Sequence, residues 1–173
     1  MSETNINNQV LEAVQPTEVD SCECCAVPEN IEAPAKYACT LSGTLSNKVL
    51  RETLDSLIVH DKRHLIVEEV QYYFCGEPDC PVVYFSNEEV PAFERSDLSV
   101  KVFSKDNNEN VNVCYCFDWT RKRITDQIKT TGRSTVFDEV TEEVKAGNCE
   151  CERQNPKGAC CLGDMQILLM EIT

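Results

Sequence analysis

The sequence predicts an α+β protein in which two small cysteine-rich parts follow an acidic N-terminal segment. Three observations predict this class: segments rich in β-branched and aromatic residues in the first half, helical periodicity in the second half, and twelve cysteines that occur in close groups. At 173 residues the chain can form one ordinary domain or two small ones. Small domains often need bound metal to stay folded. The small size of the two parts and their cysteine groups therefore both indicate metal binding.

Residues 1–35 contain seven acidic residues and no Lys or Arg, and they show no sustained apolar period. This composition predicts a disordered acidic arm. The arm carries three thiols in one short stretch, at Cys22, Cys24 and Cys25.

The next part, residues 36–110, is expected to hold a helix and strands. Ser46 is a candidate cap for a helix whose apolar positions fall within 49–57. The segments 65–74 and 82–85 predict a β-hairpin, with a Gly-Glu-Pro-Asp bend between them. Over residues 98–103 the apolar side chains Leu98, Val100 and Val102 occupy every second position, which predicts a further strand.

A polar run at 105–110 is typical of a linker, so we place a domain boundary there and expect a second domain over residues 111–173. Thr120 is expected to cap a helix that ends at Thr131-Gly132. Ser134 is expected to cap a second helix that ends at Gly147.

The first residues show no signal-peptide pattern, and no apolar stretch is long enough to span a bilayer. We therefore expect a cytoplasmic protein whose cysteines are metal ligands rather than disulfides. The net charge of -14 argues against a nucleic-acid partner. Because the sequence has no phosphate-binding glycine loop and no nucleophile elbow, we also expect that it is not an enzyme.

The two helices of the second part are flanked by cysteine pairs, and a helical hairpin brings its ends together. Cys114 and Cys116 precede the helices, so a Cys-x-Cys loop can give two thiolates to one iron of a [2Fe-2S] cluster. A four-cysteine zinc site is the alternative. The other iron would take two of the remaining thiols, which are Cys149, Cys151, Cys160 and Cys161.

Four motifs occur in series, at residues 73–75, 79–85, 113–116 and 155–161. Together they resemble the N-terminal module of the CopZ copper chaperone family, over residues 39–163. The part that begins at residue 113 also resembles the bacterioferritin-associated ferredoxin type of [2Fe-2S] domain. The resemblance implies a small zinc-binding β-hairpin and helix subdomain followed by a helical [2Fe-2S] subdomain. It implies as cluster ligands Cys114, Cys116, Cys151 and Cys160.

The zinc part departs from the family pattern. The family has a Cys-x-x-Cys before its helix, whereas this sequence has Cys39 followed by Ser42 in the second thiol position. The resemblance therefore implies three zinc ligands, Cys39, Cys75 and Cys80. For the fourth we expect an arm thiol, with Cys25 chosen over Cys22 and Cys24. The histidines His60 and His64, or a water molecule, are the other candidates.

The function implied is that of an iron-sulfur and zinc-binding accessory protein in copper handling, in which the cluster provides an electron for Cu(I). Cu(I) is expected as a third metal, either at Cys22 to Cys25, or at the spare thiols Cys149 and Cys161, or on a separate partner. The expected partner is a protein redox partner or a copper carrier or transporter. The alternatives are a ferredoxin-like electron-transfer protein with a structural zinc and a structural double-zinc adaptor.

Overall fold

The computed structural model of the protein describes residues 33–172. Most of the predicted acidic arm, including Cys22, Cys24 and Cys25, lies outside the described residues. Within the described residues, every helix is too short or too polar to cross a lipid bilayer.

The first half forms a five-stranded antiparallel sheet in which each strand pairs with the next along the chain. The predicted hairpin is confirmed, because Tyr73 pairs with Phe85 across two of these strands. One short helix, α1 (Arg51–Leu57), buries Leu54 and Leu57. The strands are β1 (Lys36–Ala38), β2 (Leu45–Val49), β3 (Tyr72–Phe74), β4 (Val82–Ser86) and β5 (Phe93–Glu94).

The predicted cap at Ser46 is wrong. Ser46 lies inside β2, opposite Tyr37 of β1, and α1 starts five residues later without a side-chain cap at Leu50. Strand β2 pairs with β1 on one side and with β3 on the other. These ladders satisfy the backbone groups of β2, so pairing outweighs the local helical spacing.

The strand predicted over 98–103 is also wrong. Only Leu98 forms a bridge, with Ile58, and Phe103–Lys105 is a 3-10 helix. The backbone N–H and the hydroxyl of Ser99 both donate to the carbonyl of Leu57, at 2.8 and 3.0 Å. This segment therefore covers the end of α1 instead of extending the sheet.

In the second half the predicted helices are confirmed. Thr120 caps the first, since its hydroxyl accepts from the N–H of Arg123 at 3.1 Å, and Gly132 ends it with φ of 77°. The second begins one residue later than expected, with Thr135 rather than Ser134 in the cap position. The elements are β6 (Asn112–Cys114), β7 (Trp119–Thr120), α2 (Arg121–Thr131), α3 (Val136–Lys145), α4 (Cys151–Gln154) and α5 (Leu162–Ile172).

Two hydrophobic cores lie within one compact unit that begins at Ala33. The first packs α1 against the sheet around Leu54, Tyr72 and Tyr84. The second packs the later helices around Ile124 and Met165. The predicted mixture of an antiparallel sheet and helices is therefore confirmed, while the boundary at residue 110 stays a prediction.

Candidate metal centres

Three buried thiols meet at one end of the sheet. Cys39 follows β1, Cys75 follows β3 and Cys80 precedes β4, so all three come from loops at strand ends. Their sulfur atoms lie within 4.8 Å of one another, and in the part of the chain that the structure describes this is the one such group of three metal-ligating side chains. Backbone hydrogen bonds hold the loops, from Cys39 N to the Thr44 carbonyl at 2.9 Å and from Cys75 N to the Val83 carbonyl at 2.8 Å.

The surroundings of this three-thiol group make its members chemically different. Burial disfavours the thiolate of Cys39, but hydrogen bonds from Ser42 and the backbone of Leu41 outweigh it and lower the pKa of Cys39 to about 7. Burial raises the pKa of Cys80. Thiolate is the form that binds metal, so its lowered pKa makes Cys39 a readier ligand at neutral pH than an ordinary thiol.

The structure puts a hydroxyl beside this three-thiol group. Ser42 Oγ lies 3.5 Å from Cys75 Sγ, and Ser42 is exposed. His60 and His64 lie on the 3-10 helix His60–Leu65, where both are exposed and neither belongs to the group. The predicted ligand Cys25 lies outside the described residues.

Two cations fasten the loop between Cys75 and Cys80. The ammonium of Lys105 donates to the carbonyls of Glu77 at 2.6 Å and Cys80 at 2.9 Å. Arg95 donates to the carbonyls of Pro78, of Cys80 at 3.2 Å and of Lys105 at 2.9 Å. Lys105 is only 6% exposed, although the sequence places it in a polar run that predicts a linker. No local pattern signals its burial.

A second group of thiols forms in the C-terminal half. Cys116 Sγ lies 3.8 Å from Cys151 Sγ, and the thiol of Cys161 forms hydrogen bonds with Cys114 and Cys151. Cys160 is exposed, whereas Cys161 is only 2% exposed. The structure thus brings three of the expected cluster ligands together and places Cys161, not Cys160, as the fourth thiol of this four-thiol group.

The turn before these cysteines decides which of the two faces inward. The N–H of Gly158 donates to the Asn155 carbonyl at 2.8 Å, as the Asn-Pro-Lys-Gly pattern predicts. The side-chain amide of Asn155 then donates to the carbonyl of Ala159 at 2.8 Å. This second bond fixes the direction of the chain just before Cys160, so that Cys161 enters the core ahead of α5.

Backbone donors surround the sulfurs of the four-thiol group. The N–H of Glu150 donates to Cys116 Sγ at 3.4 Å, and the N–H of Cys161 donates to Cys151. Hydrogen bonds from Cys161, together with others, lower the pKa of Cys151 to about 5, while burial raises the pKa of Cys116 to about 12. The same bonds to Cys114 and Cys151 raise the pKa of Cys161. The metal-free group thus keeps some of its thiols protonated, and full ionisation needs a bound cation.

Two further thiols lie beside this group. Cys149 and Cys160 line a surface groove together with Cys151 and Arg153. Cys149 is half-buried and forms a hydrogen bond with Cys151, which links the groove to the four-thiol group.

A known family of zinc-binding domains matches part of the first half of the chain. Residues 36–99 match the profile of the family described as "Zinc binding domain", zf_CopZ. Residues 36–99 are thus similar to the CopZ zinc-binding domain. All three sulfurs of the compact group fall within this range, so the buried three-thiol group is the candidate metal site of this part.

Two similar proteins extend the comparison. The copper chaperone CopZ of Archaeoglobus fulgidus is 33% identical over 90 residues, which cover 52% of this chain but only 42% of the length of that relative. The crystal structure of the N-terminal domain of the same CopZ superposes with a TM-score of 0.62 and 28% sequence identity, and the match covers 76% of this chain and 97% of that domain. The resemblance to the N-terminal module is confirmed. The bacterioferritin-associated ferredoxin-like character of the C-terminal half stays a prediction.

Proposed function

We propose that this chain is an iron-sulfur and zinc-binding accessory protein of the metallochaperone type, acting in copper handling and not as an enzyme. Zinc belongs to the CopZ-like domain, and the four-thiol group holds a [2Fe-2S] cluster. The observation that carries the proposal is the meeting of Cys114, Cys116, Cys151 and Cys161 beside two accessible thiols. Such a site is suited to soft metals and to their exchange.

The spacing of the four sulfurs supports a cluster over a second zinc. A tetrahedral zinc with Zn–S bonds of about 2.3 Å needs all its sulfurs about 3.8 Å apart. The four sulfurs instead form a chain of neighbours from Cys116 through Cys151 and Cys161 to Cys114. In the described part of the chain, no three of them meet the mutual 4.8 Å limit that the zinc-domain cysteines satisfy. An extended set of four thiols fits a binuclear centre.

The residues around this group suit an electron carrier. When bound, a [2Fe-2S] cluster accepts and donates single electrons. Backbone N–H groups donate to Cys116 and Cys151, and such hydrogen bonds stabilise anionic sulfur. Burial of Cys114, Cys151 and Cys161 keeps water from three of the four ligands. The N–H donors and the exclusion of water together favour stable binding of a cluster by these thiolates.

Copper would be bound at the groove. Cys149 and Cys160 are the two thiols of this region left over by the cluster, and Cu(I) prefers thiolate ligands. Their position next to Cys151 puts a bound Cu ion beside the electron carrier. A protein redox partner supplies the electron, and a copper carrier or transporter receives Cu(I).

A ferredoxin-like electron-transfer protein with a structural zinc is the second candidate. It is favoured by the limited match to the copper chaperone, since this chain spans 42% of that relative's length. Under this alternative the groove thiols bind Cu(I) no more tightly than free thiols do.

Anaerobic purification followed by metal analysis and a visible spectrum tests the proposal. We expect two iron ions and one zinc ion per chain, with a reddish-brown colour that bleaches on dithionite addition. A colourless protein with two zinc ions would contradict the cluster and support the double-zinc adaptor.

Competition with a colorimetric Cu(I) chelator then separates copper handling from electron transfer alone. We expect the wild type to compete, and the Cys149→Ser and Cys160→Ser variants to compete less while keeping the visible spectrum. Lys129→Ala, at an exposed position of α2 outside the residues that line the groove, is the control. Equal Cu(I) retention by wild type and both cysteine variants would contradict a copper site in the groove.

A further inference from the structure

We propose that Cys39, Cys75 and Cys80 form a three-thiolate zinc centre whose counter-cation is Lys105 and whose fourth ligand is a neutral oxygen at the position of Ser42. This inference rests on zinc being the metal of the CopZ-like domain, and it names the two residues that set its charge and coordination.

The fourth position of the three-thiol group already has a neutral oxygen. Ser42 Oγ lies 3.5 Å from Cys75 Sγ, and Ser42 also donates hydrogen bonds toward Cys39 through its side chain and its backbone. Because Ser42 is exposed, this side of the group faces solvent. Either the Ser42 hydroxyl or a water molecule held by it supplies the oxygen.

Lys105 is buried beside the three-thiol group, where its charge opposes that of metal-bound sulfur. Burial of an ammonium costs several kcal/mol unless an anion opposes its charge. The two groups that Lys105 binds directly are carbonyls, which carry no net charge. Burial lowers the pKa of Lys105, and the sulfurs of Cys75, Cys80 and Cys39 act in the opposite direction.

A zinc ion with three thiolates and a neutral oxygen carries one net negative charge, and two cations lie beside it. These are Lys105 and Arg95, which both donate to the carbonyl of Cys80. The 3-10 helix Phe103–Lys105 supplies the buried one of the two. The geometry favours the ligand set, because the three thiols lie within 4.8 Å of one another and Ser42 Oγ lies 3.5 Å from Cys75 Sγ.

The arrangement also affects metal exchange. A neutral oxygen ligand leaves zinc more readily than a thiolate does, and the Ser42 side is accessible. The site should pass zinc to a competing chelator faster than a four-cysteine site, in a manner that depends on residue 42.

Zinc K-edge absorption spectroscopy on the full chain counts the ligands without interference from iron. We expect three sulfur ligands at about 2.3 Å and one oxygen at about 2.0–2.2 Å. Ser42→Cys should convert this set to four sulfurs, and Ser42→Ala should keep the oxygen if water supplies it and lose it if the hydroxyl does. Cys25→Ser is expected to leave the spectrum unchanged.

A spectrum with four sulfurs in the wild type that falls to three in Cys25→Ser would overturn the proposal and establish the arm thiol as the ligand. The zinc count separates this failure from a failure of the proposed function. One zinc ion per chain with four sulfur ligands overturns the inference alone, whereas two zinc ions overturn the cluster.

Substitution of Lys105 tests the counter-cation directly. Lys105→Gln keeps a donor for the two carbonyls but removes the charge, and it should weaken zinc binding about 10- to 100-fold in chelator competition. Lys105→Arg should restore most of the affinity. Lys101→Gln is the matched control, because the side chain of Lys101 is 79% exposed.

Equal zinc affinities for Lys105→Gln and Lys105→Arg would overturn the role of the charge. Lys105 would then serve only as a hydrogen-bond donor to the loop between Cys75 and Cys80. If Lys105→Gln does not fold, the ligand count of the wild type still decides the proposal.

Discussion

The hydroxyl of Tyr84 donates a hydrogen bond of 2.7 Å to the carbonyl of Pro156, across 72 residues of sequence. Tyr84 belongs to β4 of the zinc-binding domain, and Pro156 belongs to the turn that directs Cys161 into the four-thiol group. Burial raises the pKa of Tyr84, so the phenol stays protonated and remains a donor. The turn that precedes Cys161 in one half therefore rests on the sheet of the other.

Replacing Tyr84 by Phe should lower the free energy of unfolding by about 1 to 3 kcal/mol, because it leaves the buried carbonyl of Pro156 without its donor. Urea unfolding of the metal-loaded protein measures the loss. Tyr37→Phe, at a side chain that is 37% exposed, is the control and should change the free energy by less than about 0.5 kcal/mol. Equal effects of the two variants would show that the bond does not stabilise the fold.

Gly158→Ala should destabilise the protein more than Gly43→Ala. Both glycines have positive φ, 63° and 73°, so each alanine has a similar backbone cost. At Gly158 a new Cβ would also lie 3.1 Å from Thr53 Oγ1, whereas at Gly43 nothing lies within 4 Å. Thr53 has little room to move, because its hydroxyl donates to the carbonyl of Glu152 at 2.5 Å.

We expect the extra cost at Gly158 to be about 1 to 3 kcal/mol, the usual range for overpacking. The difference between the two variants in urea unfolding gives this value. Similar losses for both would mean that the contact between α1 and the turn is loose.

Serine substitution at each member of the cysteine doublet should give opposite results. Cys161→Ser is expected to lose most of the visible absorbance and bound iron, because Cys161 lies against Cys114 and Cys151. Cys160→Ser should keep both, since Cys160 is exposed. Anaerobic spectra with iron analysis of the two variants make the comparison. Loss of colour in Cys160→Ser alone would restore the ligand set implied by the family resemblance.

Zinc binding should release fewer protons as pH rises through 7. The pKa of Cys39 in the metal-free fold is about 7, against 9.0 for an ordinary thiol, so Cys39 loses a proton to zinc binding below pH 7 but is already ionised above it. Cys80, whose pKa is raised, still releases its proton at pH 8. Calorimetric zinc titrations in buffers of different ionisation enthalpy measure the number released.

We expect this number to fall by close to one proton between pH 6 and pH 8, counted as the single thiol of Cys39. The Cys39→Ser variant should lack this step. A proton release that stays constant over this range in the wild type would contradict the lowered pKa.

Local signals in the sequence predicted the parts of the fold that depend on neighbouring residues. Thr120 and Gly132 mark the ends of α2 because capping involves only the groups within one helical turn. The Asn155 turn and the β3–β4 hairpin follow for the same reason. The helical spacing after Ser46 predicts that this residue caps a helix, but pairing with β1 and β3 over residues 36–38 and 72–74 makes it part of a strand.

By itself, therefore, the sequence predicted thiol-bound metal and a resemblance to the CopZ N-terminal module, and it located the later helices. Only the tertiary structure decided which member of the Cys160-Cys161 doublet faces the four-thiol group, and that Lys105 is buried beside the zinc-domain cysteines. Both depend on contacts between distant segments, since the turn of Asn155 rests on β4 and Lys105 binds a loop that lies 25 and more residues away. Spacing along a chain carries no information on such contacts until the chain is folded.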